Sequence, residues 1–260
     1  MKSKRKKSSH VQFEDFLRVV ARLRKECPWD REQTHQSIRQ SLIEETYEVI
    51  DAIDVNDLIE LKKELGDLLL HVALHSVMAE EKQAFTIGDV LDHVTEKLIR
   101  RHPHVFGDIR ATTAGEVKAN WERIKMSEGR ASVLEGVPRT LPALLRAYRL
   151  QDKASKVGFD WNKKSDVWKK VNEEVMELRK AERSKNPEKL EEELGDILFA
   201  LVNYSRFLHV NPEIALRRSI EKFTKRFHFI EKELKHQGKS LEDSTLDEMD
   251  RLWNKQKRLR

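Results

Sequence analysis

Eight acidic residues stand out by type and by spacing: Glu45, Glu48, Glu64 and Asp67 early in the chain, and Glu174, Glu177, Glu193 and Asp196 late. The differences 174 − 45, 177 − 48, 193 − 64 and 196 − 67 all equal 129, so the chain carries an internal duplication without insertion or deletion across this span. Within each set the acids pair at i,i+3, a spacing that puts both on one helix face. Asn56-Asp57 and Ser184-Lys185-Asn186-Pro187 are turn signals between the pairs. Taking Asn56 and Lys185 as turn centres, Glu45 and Asp67 lie equally far from one, and Glu174 and Asp196 from the other. An antiparallel helical hairpin is therefore predicted to bring four carboxylates to one level in each copy.

The stripe Val167, Val171, Leu178, Ala181 is interrupted by Glu174, and Ile38, Leu42, Val49, Ala52 by Glu45. A carboxylate on a core-facing stripe is unfavourable by several kcal/mol unless it is protonated or paired, and four together repel one another. A divalent cation answers both problems. Oxygen ligands without Cys or His suit Mg²⁺ or Mn²⁺. His71 and His75 are spaced i,i+4, but no Glu follows His71 as a zinc protease helix requires, so they read as packing residues.

The elements that must hold these acids are helices. Only nine glycines and six prolines interrupt 260 residues, and no stretch alternates like a strand, so an all-α protein of tandem duplicated four-helix-bundle-like units is expected. Phe13, Phe16, Leu17, Val20 and Leu23 mark a first helix. Leu58, Leu61, Leu65, Leu68 and Val72 are the expected core stripe of the helix that carries Glu64 and Asp67, with Gly66 and Gly195 expected where helices approach closely. Residues 1–12 read as a disordered basic tail, 13–126 and 143–260 as the two units, and 127–142, with Gly129, Gly136, Pro138 and Pro142, as a linker.

The formal charge of +5 is matched by Lys2, Lys4, Arg5, Lys6 and Lys7 alone, so the rest of the chain is balanced and nucleic-acid binding is not expected. No apolar run suits a membrane helix, and the single Cys27 fits a reducing cytoplasm. Two cationic groups also recur: Lys97 and Arg101 match Lys222 and Arg226, while Trp121 and Lys125 match Trp253 and Lys257. Clustered acids, a hard cation, basic side chains and an indole together suit phosphate chemistry on a nucleotide. No phosphate-cradling glycine loop is present.

Several segments narrow the reading. Cys27-Pro28-Trp29-Asp30 with Gln33-Thr34-His35, the doubled acidic pattern, Lys97 to Phe106, and Gly136-Val137-Pro138 with Gly158-Phe159-Asp160-Trp161 resemble the MazG family of nucleoside triphosphate pyrophosphohydrolases. The resemblance spans about residue 13 to 260. It implies a homodimer, Mg²⁺ dependence and cleavage of ribo- and deoxyribonucleoside triphosphates at the α–β bond to NMP and pyrophosphate. It further implies that Glu174, Glu177, Glu193 and Asp196 hold metal, that Lys189, Lys222, Arg226, Trp253 and Lys257 contact the nucleotide, and that the C-terminal unit is the active one. Lys189 faces Glu60 in the alignment of the copies, which swaps a cation for an anion in the first. Glu45, Glu48, Glu64 and Asp67 form a possible second site. The alternatives are a narrower pyrophosphohydrolase (dUTP/dCTP or phosphoribosyl-ATP type) and a nucleotide-binding regulatory module without turnover.

Overall fold

The computed structural model describes residues 8–128 and 132–258; the basic residues 2–7 lie outside that range. Those residues form twelve helices and no strand. In order these are α1 (Ser9–Glu26), α2 (Pro28–Glu32), α3 (Arg39–Asp54), α4 (Leu58–Glu80), α5 (Ile87–Arg101), α6 (Pro103–Phe106), α7 (Ala114–Ser127), α8 (Ala143–Ser155), α9 (Lys164–Ser184), α10 (Pro187–Phe207), α11 (Pro212–His236) and α12 (Leu246–Arg258). The chain divides into two compact units, Met1–Val117 and Lys118–Arg260. Helix α1 starts at Ser9, within the stretch expected to be tail.

Each unit is built on one long antiparallel hairpin, α3–α4 in the first and α9–α10 in the second. The reversals sit where the sequence places them. Asn56 (φ 57°) and Lys185 (φ 54°) both adopt the left-handed conformation that ends a helix sharply. The following residue caps the next helix: the Asp57 carboxylate accepts from the backbone N–H of Ile59 and Glu60, and the Asn186 amide oxygen accepts from Glu188 and Lys189. Pro187 occupies the first turn of α10, where its missing N–H leaves no bond unmade.

A third helix lies along the second arm of each hairpin, α1 on α4 and α8 on α10. In the first unit Val20, Ile38, Ala73, Leu74 and Met78 form a core, flanked by Phe16 and Leu17. In the second, Val167, Val171, Ala181, Ala200 and Val202 are buried within the hairpin, and Ile230 and Leu234 on α11. A fully buried Val or Leu side chain contributes about 1.5–3 kcal/mol. Helix α11 packs on α8 and α12.

Two expectations are corrected. Leu58, Leu65 and Val72 are 71%, 52% and 43% exposed, because α4 turns Glu64, His71, Leu74 and Met78 inward instead. Leu58, Leu65 and Val72 therefore lie on an outer face of the first unit, with Leu61 and Leu68 half-buried beside them. Nor do Gly66 and Gly195 mark a close approach within it: a Cβ at either position meets nothing within 4 Å.

Because the two turns share one conformation with different residues, they can be exchanged. Left-handed backbone favours Asn over Lys, whose side chain has no short polar group to bond locally. Lys185→Asn is expected to stabilise its unit by about 0.5 kcal/mol and Asn56→Lys to destabilise its own by about as much, read as opposite shifts in thermal midpoint.

Candidate active site

The buried acids are the ones the hairpin turns toward its own seam. Glu174 on α9 is 5% exposed and Glu193 on α10 is 9% exposed. With Glu177 they offer carboxylate oxygens that all lie within 4.8 Å of one another. Glu45, Glu48 and Glu64 form the same arrangement in the first unit, where Glu64 is 7% exposed. Asp196 and Asp67 stand outside these triads and are exposed. The i,i+3 spacing alone does not exclude them, since Glu45 and Glu48, and Glu174 and Glu177, share it and converge; the Asp side chain is one methylene shorter. Asp196 instead lines, with Glu174, a neighbouring cavity.

The electrostatics match the geometry. Burial, reinforced by Glu48 and Glu60, raises the Glu64 carboxyl to about 7. Burial also raises Glu45, with Glu48 and Asp67 adding to it, and raises Glu177, with Glu174 adding a hydrogen bond and charge repulsion. These are carboxyls whose ionised form lacks compensation. An all-oxygen donor set converging on one point is the chemistry of a hard divalent cation.

The second unit supplies an internal counter-charge. Lys170 Nζ lies 2.8 Å from Glu173 and 2.7 Å from Glu174, and the first of these contacts leads in pushing its pKa well above the usual lysine range. Its counterpart, 170 − 129 = 41, is Ser41. Comparison of the two copies at this position would have singled Lys170 out of the sequence, as it did Lys189.

The cavity beside the second triad measures about 470 Å³. One wall is α8, through Leu150, Gln151 and Ala154; another is the segment Phe159-Asp160-Trp161; a third is Phe199, Asn203 and Arg206 on α10, with Lys170, Glu174 and Asp196 at one side. Of these, sequence spacing had pointed only to Gly158–Trp161 and the two acids. The remaining polar members sit on α8 and α10 at positions that look like ordinary helix faces.

The other expected contact residues stand elsewhere. Lys189 is in the first turn of α10. On α11 and α12, the Arg226 guanidinium lies 5.1 Å from the Trp253 ring centre and Phe223 packs against the same indole at 5.4 Å. Lys222 is on α11 one turn before Arg226, and Lys257 Nζ lies 3.5 Å from Asn254 Oδ1. In the first copy it is Lys125, the match of Lys257, that lies 4.8 Å from the Trp121 ring centre; Trp121 and Lys125 fall past Val117, in the second compact unit. His75 is tied to His35 by a 2.7 Å Nδ1–Nδ1 hydrogen bond, and burial lowers the pKa values of His71 and His75. The histidines thus join the 33–38 loop to α4.

The Glu64 shift has a consequence for stability. A carboxyl whose folded pKa is raised stabilises the fold while protonated, and that contribution is lost as pH rises from the ordinary value near 4.3 to about 7. The cation-free protein should therefore melt progressively lower across that window. Excess Mg²⁺ or Mn²⁺ should flatten the dependence, and Glu64→Gln should remove its share; thermal melts in chelator and in metal measure both.

Comparison with known proteins agrees with this layout. The family model described as the MazG nucleotide pyrophosphohydrolase domain matches twice, over residues 33–106 and 163–230. The nucleoside triphosphate pyrophosphohydrolase/pyrophosphatase MazG of Thermotoga maritima is 44% identical over 96% of this chain and 98% of its own length. The nucleoside triphosphate pyrophosphohydrolase of Escherichia coli is 42% identical over 95% and 97%. An uncharacterized protein of Bacillus subtilis, YabN, is 47% identical over 98% of this chain but 53% of its own length. Two matched hairpins, each with a converging acidic triad, and relatives alike from end to end place the chain in the MazG nucleotide pyrophosphohydrolase family.

Proposed function

We propose that this protein hydrolyses nucleoside triphosphates, ribo- and deoxyribo-, at the α–β phosphate bond, releasing NMP and pyrophosphate, and does so mainly in the C-terminal unit. The observation that carries this reading is the convergence of Glu174, Glu177 and Glu193 beside a cavity with aromatic walls. Glu174, Glu177, Glu193 and Asp196 would hold Mg²⁺, or Mn²⁺ in its place, and the ion would neutralise phosphate charge and acidify water. A base entering the cavity meets Phe159, Trp161 and Phe199, while its phosphates lie toward Lys170, Glu174 and Asp196. Water adds its oxygen to phosphorus, the bridging P–O bond breaks, and the proton passes to a carboxylate oxygen.

Lys189, Lys222, Arg226 and Lys257 are proposed to bind the polyphosphate and Trp253 to contact the nucleotide. Trp253 is already flanked by Phe223 and Arg226, so it also orients that guanidinium. The N-terminal unit is proposed to be weak or regulatory: it has Ser41 in place of Lys170, the cation paired with the buried acid of the second triad, and Glu60 in place of Lys189. A homodimer is supported by exposed apolar rows on the hairpins, Leu65, Leu69 and Val72 on α4 and Leu194, Leu198 and Leu201 on α10. No helix among the described residues is long and apolar enough to cross a membrane. The free Cys27 favours the cytoplasm.

Anion-exchange analysis of products from the eight common triphosphates tests the reading: NMP and pyrophosphate should appear with Mg²⁺ and vanish in chelator. Glu177→Gln should lower turnover by about 10²–10³-fold, the scale of losing one preorganised electrostatic group. Glu48→Gln should lower it much less, and equal losses would reverse the ranking of the two units.

A further inference from the structure

The aromatic segment that walls the cavity begins where α8 ends. Gly158 takes φ +89°, a left-handed geometry that turns the chain away from the helix, and Phe159 N–H still bonds back to the Ala154 carbonyl. Beyond that point Phe159 is 80% exposed and Trp161 42% exposed, so little apolar packing holds either ring. A polar relay instead holds the backbone that carries them. Arg206 on α10 donates through Nη1 to Asn203 Oδ1 at 2.5 Å and through Nη2 to Asp160 Oδ2 at 2.7 Å. The other Asp160 oxygen, Oδ1, accepts the backbone N–H of Trp161 at 2.9 Å. Asn203 is 5% exposed and the Arg206 side chain 11%, so the anchor is fixed in the body of the unit while the far end of the relay reaches the backbone N–H of Trp161.

This fastening belongs to the second unit. The position matching Arg206, 206 − 129 = 77, is Val77, which has no charge to offer. In the first unit the corresponding segment is held from the opposite side, by Arg24 on α1, which donates to the backbone carbonyls of Asp30 and Gln33 and pairs with Glu81. Carbonyls hold the loop's path there. In the second unit a side-chain carboxylate couples α10 directly to the residue whose ring faces the cavity.

We propose that Arg206 and Asp160 are positioning residues that set nucleobase affinity, by fixing Trp161 and Phe159 over the cavity independently of the polyphosphate site. This rests on reading the cavity as the base subsite. An ion pair with little exposure on either side, 11% and 24%, is screened less than a surface pair and holds its geometry accordingly. Neither residue touches the reacting phosphates, so their influence belongs in substrate binding and not in the chemical step.

The test compares two probes that share phosphates and differ in the base: nucleoside triphosphates, and inorganic tripolyphosphate as a competitive inhibitor. In Arg206→Met, KM and the titrated Kd for ATP should rise about tenfold while kcat stays within about threefold and the tripolyphosphate Ki is unchanged. Asp160→Asn keeps an oxygen for the Trp161 N–H and removes the ion pair. It should give the same pattern more mildly, and serves if Arg206→Met fails to fold. The double variant should be no worse than the worse single one, and Arg206→Lys should recover part of the loss. A parallel rise in the tripolyphosphate Ki, additive single effects, or an unchanged Kd for ATP would each overturn the proposal. A wild-type chain that binds ATP without cleaving it would overturn the proposed hydrolysis and leave the clamp to be judged by Kd. One that binds tripolyphosphate but not ATP would overturn the base subsite and the clamp together.

Discussion

Carboxylates turned inward on a helical hairpin set the terms for everything else in this protein. Glu174 and Glu193 occupy positions where the seam between α9 and α10 would otherwise be apolar, and Glu64 does so on α4. Desolvation and mutual repulsion both oppose ionisation, which is why Glu64 and Glu177 hold protons more tightly than free glutamates. The fold accepts that disadvantage twice, at the same level of both hairpins. The surrounding apolar contacts, Val167, Val171, Ala181 and Ala200 in the second unit, hold the acids together despite their repulsion. A site of this kind is preorganised for a cation because the protein has already ordered and desolvated the ligands.

The duplication lets each copy serve as a reference for the other. Both keep the left-handed turn, the cap that follows it and the triad. They part in the surroundings: Lys170 against Ser41, Lys189 against Glu60, and Arg206 against Val77. These three add cations to the second unit, while Lys62 and Lys63 of the first are matched there by Glu191 and Glu192. The first unit invests instead in contacts that fasten its 27–38 loop, with Arg24 on Asp30 and Gln33 and His35 on His75. The two hairpins share one frame, and their chemistry diverges through the side chains around it.

The exposed leucines follow from the same frame. On α4 and α10 the inward face is taken by Glu64, His71 and Leu74, or by Glu193, Ala200 and Asn203. The long apolar side chains next along each helix, Leu65, Leu69, Leu194 and Leu198, are left on the outside, and Gly66 and Gly195 lie among them with open space beyond their Cα atoms. A helix with apolar residues on more than one face keeps a further apolar surface beside the one it buries.

How much of this could be read from residues alone divides along the range of the interactions. Helices, turns and caps are local, so the centres at Asn56 and Lys185 and the all-α architecture were legible, and an exact repeat offset made the acidic pattern legible as well. Sequence spacing placed four acids at one level in each hairpin; three of each four offer oxygens within 4.8 Å of one another, and Asp196 lines the adjoining cavity. Leu58, Leu65 and Val72 looked like core because periodicity reports a face without saying which face is inward. The choice of Glu64 and His71 for that role depends on what α3 and α1 present opposite them. The Arg206–Asp160–Trp161 relay spans 46 positions between its charges and joins a segment the sequence had singled out to an arginine that looks ordinary on its helix. Only the packing of α8 against α10 brings them to one cavity, because a contact between distant segments is decided by the tertiary fold and not by any local preference of the chain.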